Sequence, residues 1–123
     1  MDDRRKPLPL ARCCGRYLAD FEGTPAPDAA SLMRSRYTAY VMGDEAYLLA
    51  TWHAGTRPLR ADIDVGTKWL GLEVRAHRVT GDDTADVEFV ARYRVNGQGA
   101  RLHETSRFVR EQGRWFYVDG DLR

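Results

Sequence analysis

Few side chains in this sequence can do chemistry, and they are scattered. Glu104 lies in His103-Glu104-Thr105-Ser106, in step with Leu102 and Phe108. In a strand it would share their face, with His103 and Thr105 on the other side. A carboxylate on a buried face must be paired, hydrogen-bonded or protonated. Arg34 and Arg36 are the obvious partners. Two residues apart on a helix, they point roughly 200° from each other, so one can enter the protein while the other meets solvent. The chemical reading is an anion clamp at a pocket mouth. The plainer reading is preferred: an arginine paired with Glu88 or Glu104, or one covering apolar surface with its stem. Trp52-His53 closes a second helical stretch, and a histidine there can serve as a general base. It can equally cap the last helical carbonyls, and with no nucleophile nearby in sequence the capping role is preferred. The candidate cavity residues are therefore Arg34, Arg36, Tyr37, Trp52, His53 and Glu104. No catalytic residue is assigned.

Cys13 and Cys14 are adjacent, and no other cysteine exists. A bond between neighbours strains the peptide joining them, so no disulfide framework is expected. The pair also lacks the Cys-x-x-Cys spacing of a redox site. There is no phosphate-binding glycine loop, dinucleotide fingerprint or H-E-x-x-H motif. There is no G-x-S-x-G motif either.

The 123 residues suit one domain, and 43% hydrophobic with 30% charged residues is ordinary for a globular protein. A net charge of +1, from 19 basic and 18 acidic residues, gives no case for a nucleic-acid partner. No apolar run approaches the roughly 20 residues that span a bilayer. The charged start, Met1 to Lys6, has no apolar region behind it, so no secretory signal is read. A reducing, cytoplasmic setting is expected.

These residues must be positioned by a small set of elements. Residues 1–27 hold four of the five prolines and show no periodicity, which predicts an irregular arm before a domain over 28–123. Asp28 reads as an N-cap, with Pro27 before it. Met33, Tyr37, Tyr40 and Val41 then fall on one helical face, and Gly43 ends the helix as a C′ residue. Asp44 caps a second helix through about Trp52, with Tyr47, Leu48 and Trp52 on one side. Over residues 54–67, a short edge strand around Ala61, Ile63 and Val65, a loop and a single helical turn all remain open. From Trp69 the period is two: Leu70, Leu72, Val74 and Ala76 alternate with wetter residues, as do Val87, Phe89, Ala91, Tyr93 and Val95. Two more strands follow, over about 100–110 and 115–119. Short glycine-bearing breaks separate the four, so the expectation is an antiparallel meander of hairpins. Glu88, Arg92 and Arg94 share one strand face, read as solvated rather than as half of a dimer interface. Trp115, Phe116 and Tyr117 put aromatics on both faces of the last strand.

The runs LMRSRYTAYVMGDEAYLLATWH (32–53), KWLGLEV (68–74), VEFVARYRV (87–95), HETSRFVREQGRWFYVDG (103–120) and CCGRY (13–17) resemble the YchJ-like family of uncharacterised bacterial proteins. The resemblance spans most of the chain. It implies a nuclear-transport-factor-2-like fold, in which helices pack into a curved antiparallel sheet and enclose a conical cavity. Family members often begin with a SEC-C zinc motif, a Cys-x-Cys pair followed further on by Cys-Cys or Cys-His. Cys13-Cys14-Gly15 matches the second half, but the expected place of the first pair reads Asp2-Asp3-Arg4-Arg5. A tetrahedral zinc site needs four donors, so zinc is not expected unless Cys13 and Cys14 are completed from elsewhere. No other cofactor is implied.

The expectation is an α+β domain, with N-terminal helices on a curved four-stranded antiparallel sheet. Its function is read as non-catalytic binding or accessory work through a small polar-lined cavity. The partner is an unidentified small molecule or protein, with no nucleic acid and no membrane. Two alternatives stand. One is a lyase, isomerase or hydratase using Glu104 with His53 or an arginine, which rests on fold analogy. The other is an adaptor that dimerises through the sheet.

Overall fold

Asp28 begins the first helix as its sequence position predicts: its carboxylate accepts the Ser31 N–H at 2.7 Å. In the computed structural model, which describes residues 26–61, 63 and 66–122, this helix is α1, Ala29–Met42. Gly43 stops it in the left-handed conformation, φ 74°. The Gly43 N–H donates to Tyr40 O at 3.3 Å and the Asp44 N–H to Ala39 O at 2.8 Å, the paired bonds of a Schellman cap. Asp44 caps α2, Glu45–Ala50, by accepting the Tyr47 N–H. This helix is shorter than expected, and Trp52 lies beyond it. There the chain turns to run alongside the last strand, through Tyr117 N–H to Thr51 O (2.8 Å) and His53 N–H to Tyr117 O (2.7 Å). Those bonds take backbone groups that a longer helix would have used internally.

Four strands follow: β1 Thr67–Val79, β2 Thr84–Val95, β3 Gln98–Glu111 and β4 Arg114–Leu122. They form one antiparallel sheet in the order β1-β2-β3-β4, the predicted meander. The β2–β3 and β3–β4 turns put Asn96 and Gln112 at φ 55° and 53°, each followed by a positive-φ glycine, Gly97 and Gly113. That pairing is the type I′ turn whose twist matches a tight hairpin. Among the described residues of 54–67, no strand precedes Thr67: 54–56 form a turn, 59–60 a bend, and Arg57, Pro58, Ala61 and Ile63 belong to no strand. Asp62, Asp64 and Val65 of the possible edge strand lie outside the described residues. So do residues 1–25, most of the expected arm, with Cys13 and Cys14.

Two expectations about side-chain direction are corrected. The period of two puts Leu70 inside with Leu72, yet it is 48% exposed. The β1–β2 register shifts between Trp69 and Gly71, and such a bulge inverts the alternation. Trp69 therefore packs against the core cluster and Leu70 faces out. The helical period puts Val41 on one face with Met33, Tyr37 and Tyr40, yet it is 52% exposed. The helix is instead buried on two sides. Leu32, Met33 and Tyr37 meet the sheet cluster, while Ala39 joins Tyr47, Leu48 and Ala61 in a second cluster. Ser35, fully buried, bridges the layers through a 2.7 Å hydrogen bond with the Tyr47 hydroxyl.

The sheet's outer face is polar and internally paired. Glu88 meets His103 Nε2 at 2.7 Å and Arg78 at 3.1 Å, and Glu73 lies 3.5 Å from Arg92. Val90, between Glu73 and His103 in the register, is nonetheless buried. No helix among the described residues is long and apolar enough to cross a membrane.

Candidate functional site

Between α1 and the inner face of the sheet lies a partly open cavity of about 260 Å3. It is just below the range of roughly 300–1,000 Å3 typical of drug-sized ligand sites, so it suits a small molecule. Its polar lining comes from Arg36, Tyr37 and Tyr40 on α1, Glu104 and Ser106 on β3, and Tyr117 on β4. Apolar walls come from Met33, Trp69, Phe89, Ala91 and Leu102. The strand period delivers Leu102, Glu104 and Ser106 to one face, and the helix period brings residues 33, 36, 37 and 40 to one side of α1.

Arg36 is a buried charge in the cavity wall. It is 3% exposed. Its Nη1 donates to Leu48 O at 2.8 Å and to Thr51 Oγ1 at 2.6 Å. Thr51, fully buried, passes its own proton on to Tyr47 O at 2.8 Å. The guanidinium carbon sits 5.1 Å from the Trp52 ring centroid and 4.6 Å from that of Tyr117. Those two rings meet edge to face at 5.0 Å. Cation–π contact of this kind contributes about 0.5–2 kcal/mol per ring. The guanidinium is thus held in place by a carbonyl, a hydroxyl and two rings. It has no carboxylate within 4.0 Å among the described residues. Burial pushes its pKa down to about 10, while the neighbouring tyrosines 40, 117 and 47 and Glu104 act the other way. Arg36 therefore stays protonated at neutral pH. Tyr117 moves in the opposite direction. Burial, then the Glu104 charge, pushes its phenol up to about 12, against the pull of Arg36. Burial likewise raises Tyr37.

Glu104 is only half-buried. Its Oε2 accepts from Ser106 Oγ at 3.0 Å. The space beside it exists because residue 120 is glycine: a Cβ there would lie 2.9 Å from Glu104 Cδ and closer still to Oε2.

The structure brings three of the six candidate residues to the cavity: Arg36, Tyr37 and Glu104. Trp52 lies behind Arg36 as its stacking partner, with its Nε1 buried and without a hydrogen-bond partner among the described residues. Arg34 is half-exposed and outside the lining, as the helical offset from Arg36 requires. His53 is on the surface. Its Nδ1 accepts the Gly55 N–H at 3.0 Å, so the neutral ring carries its proton on Nε2, which meets Glu111 at 2.9 Å. Neither arginine forms the expected ion pair with Glu88 or Glu104. Glu88 is on the opposite face of the sheet, committed to His103 and Arg78.

Thr51, Trp69, Ser106 and Tyr117 belong to the site without being among the six candidates that residue type and spacing mark. Ser106 and Tyr117 were within reach, since each falls at an inward position of its strand. Trp69 was hidden by the bulge. Thr51 matters only through Arg36, fifteen residues earlier. Among the described residues, no group of three or more His, Cys, Asp or Glu could hold a metal ion.

The site belongs to a recognisable framework. A family model described as "YchJ, middle NTF2-like domain" matches residues 28–120. A UPF0225 protein of Polaromonas sp. is 66% identical over 119 residues, covering 96% of this chain and 86% of its own. One from Bordetella pertussis is 52% identical, covering 96% and 90%. In solution, a SEC-C motif containing protein from Rhodopseudomonas palustris has a fold matching this one with TM-score 0.80 at 34% identity, covering 91% of this chain and 90% of its own. The crystal structure of a SEC-C motif containing protein from Psychrobacter arcticus matches with TM-score 0.82 at 28% identity, covering 100% and 77%.

Proposed function

Because the chain belongs to the YchJ family, through its middle NTF2-like domain, we propose that it is a cytoplasmic, non-catalytic binding or accessory domain whose cavity holds a small molecule. One observation carries this reading. Arg36 is a nearly sealed cation that lines a partly open cavity and has no carboxylate in contact among the described residues. Taking a charge out of water costs several kcal/mol. Met33, Tyr37 and Ala39 on the same helix solve the packing problem with apolar or weakly polar side chains. A cation kept at the cavity wall is therefore better explained by what it binds than by the stability it adds.

The geometry favours binding over catalysis. Acid–base chemistry at Glu104 calls for a second proton-transfer group within hydrogen-bond reach. The side chain bonded to Glu104 is Ser106, and His53 is turned toward Glu111 on the surface. A thermal-shift screen of metabolites against the protein and its Glu104→Gln variant tests the proposal. A compound that raises the Tm of the parent and not of the variant supports it. A screen in which no compound does so removes it.

A further inference from the structure

The cavity holds two opposite charges that do not neutralise each other. Arg36 and Glu104 both line it, and the Glu104 charge acts on Arg36. They are nevertheless not an ion pair within 4.0 Å, and each spends its close contacts elsewhere. Arg36 uses Nη1 on Leu48 O and Thr51 Oγ1. Its Nε and Nη2 make no hydrogen bond among the described residues. These two nitrogens form the planar fork that suits a carboxylate. Glu104 accepts from Ser106 on Oε2, and its Oε1 has no donor among the described residues.

We infer that the ligand is a small zwitterion, with a carboxylate seated on the free edge of Arg36 and an ammonium seated against Glu104. This rests on the cavity-binding reading above. The alternatives each leave a charge unsatisfied. A simple anion on Arg36 would lie in the field of Glu104, and a simple cation on Glu104 would lie in the field of Arg36. In a partly enclosed site such repulsion is weakly screened. A neutral ligand would displace water from both charges and pair with neither. A zwitterion pairs with both and leaves the net charge of the cavity unchanged. The walls suit its cationic end too: Tyr40 and Trp69 line the cavity, and aromatic faces attract an ammonium group. The volume of about 260 Å3 limits the ligand to amino-acid size and excludes nucleotides.

The test is a two-dimensional amide NMR titration of the whole chain. The probes are L-alanine, β-alanine and γ-aminobutyrate, which set the two charges at increasing separation. Butyrate and butylamine each supply one charge. The expected result is saturable binding of at least one zwitterion, about tenfold tighter than either single-charge probe, the increment of one charge-assisted pairing. In Glu104→Gln, whose amide spectrum checks that the fold persists, that zwitterion should fall to the affinity of butyrate, while butyrate itself holds or gains. Butyrate or butylamine binding as tightly as the best zwitterion overturns the inference, as does a zwitterion indifferent to Glu104→Gln or a panel in which nothing binds. In all three cases the cavity-binding reading survives if the metabolite screen yields a ligand dependent on Glu104. It falls as well only when that screen is also empty.

Discussion

Gly120 lies diagonally across the β3–β4 pairing from Glu104, opposite Ser106, and its missing side chain is the space into which the Glu104 carboxylate fits. The requirement is room, not backbone freedom, since Gly120 is not among the positive-φ glycines. Gly120→Ala should keep the fold, because the obstructed group is the end of a flexible side chain. Stability should fall by about 1 kcal/mol, the low end for overpacking. The carboxylate must move, so any ligand that depends on Glu104 should bind about tenfold more weakly, roughly one mispositioned charge-assisted hydrogen bond. Urea denaturation and the NMR titration measure the two effects separately.

Thr51 is the buried relay that fixes Arg36. Thr51→Val keeps the shape but removes the acceptor at 2.6 Å from Arg36 Nη1, leaving a buried cation short of one partner. The expected loss is about 1.5–3 kcal/mol in urea denaturation, the range for hydrogen bonds to charged groups. Thr51→Ser retains the hydroxyl and should recover most of it.

Tyr117 and Arg36 make opposite contributions at alkaline pH. Tyr117 is raised from 10 to about 12 by burial first and Glu104 second. Its stabilisation is therefore complete below pH 10 and is lost as pH rises toward 12. Arg36 is lowered by burial to about 10. Its cost is complete below about pH 10 and is relieved as pH rises from there. Tyr117→Phe removes the first effect alone, so the variant should lose less stability than the parent between pH 10 and 12. Phenolate absorbance gives an independent check: the parent should show a late-ionising tyrosine that is missing in Tyr117→Phe.

His53 faces Glu111 and the backbone of Gly55, away from the cavity. With side chains 27% and 55% exposed, the pair contributes little. His53→Ala should cost less than about 1 kcal/mol and leave ligand-dependent Tm shifts unchanged. A loss of ligand stabilisation comparable to that of Glu104→Gln would return His53 to the site.

The β1 bulge makes a prediction about two similar residues. Leu70, 48% exposed, should tolerate lysine within about 0.5 kcal/mol, as outward surface positions do. Leu72, packed against the core, should lose about 2 kcal/mol on truncation to alanine. Thermal and urea unfolding of both variants distinguishes this register from uninterrupted alternation, in which both substitutions would be severe.

Much of the fold was legible in the residues. Asp28, Gly43 and Asp44 act through hydrogen bonds and dihedral preferences within five residues, so their types alone mark both helices. The alternation around Val87, Phe89 and Ala91, with Asn96-Gly97 and Gln112-Gly113 as turns, identifies hairpins for the same local reason. The inward direction of Glu104 followed from its step with Leu102 and Phe108. Tertiary structure decided the rest, because it depends on residues distant in sequence. A bulge in β1 sent Leu70 out and Trp69 in. A second packing surface against α2 buried Ser35 and Ala39 and left Val41 exposed. Which arginine entered the protein was settled by Leu48 O and Thr51 Oγ1 offering acceptors where Arg36 arrives. His53 left the site because the chain after α2 joined the edge of β4. Spacing along the chain gives the direction of a side chain relative to its own element. The partner it meets is set only when elements dock, and for Arg36 and Glu104 that docking placed two charges in one cavity without joining them.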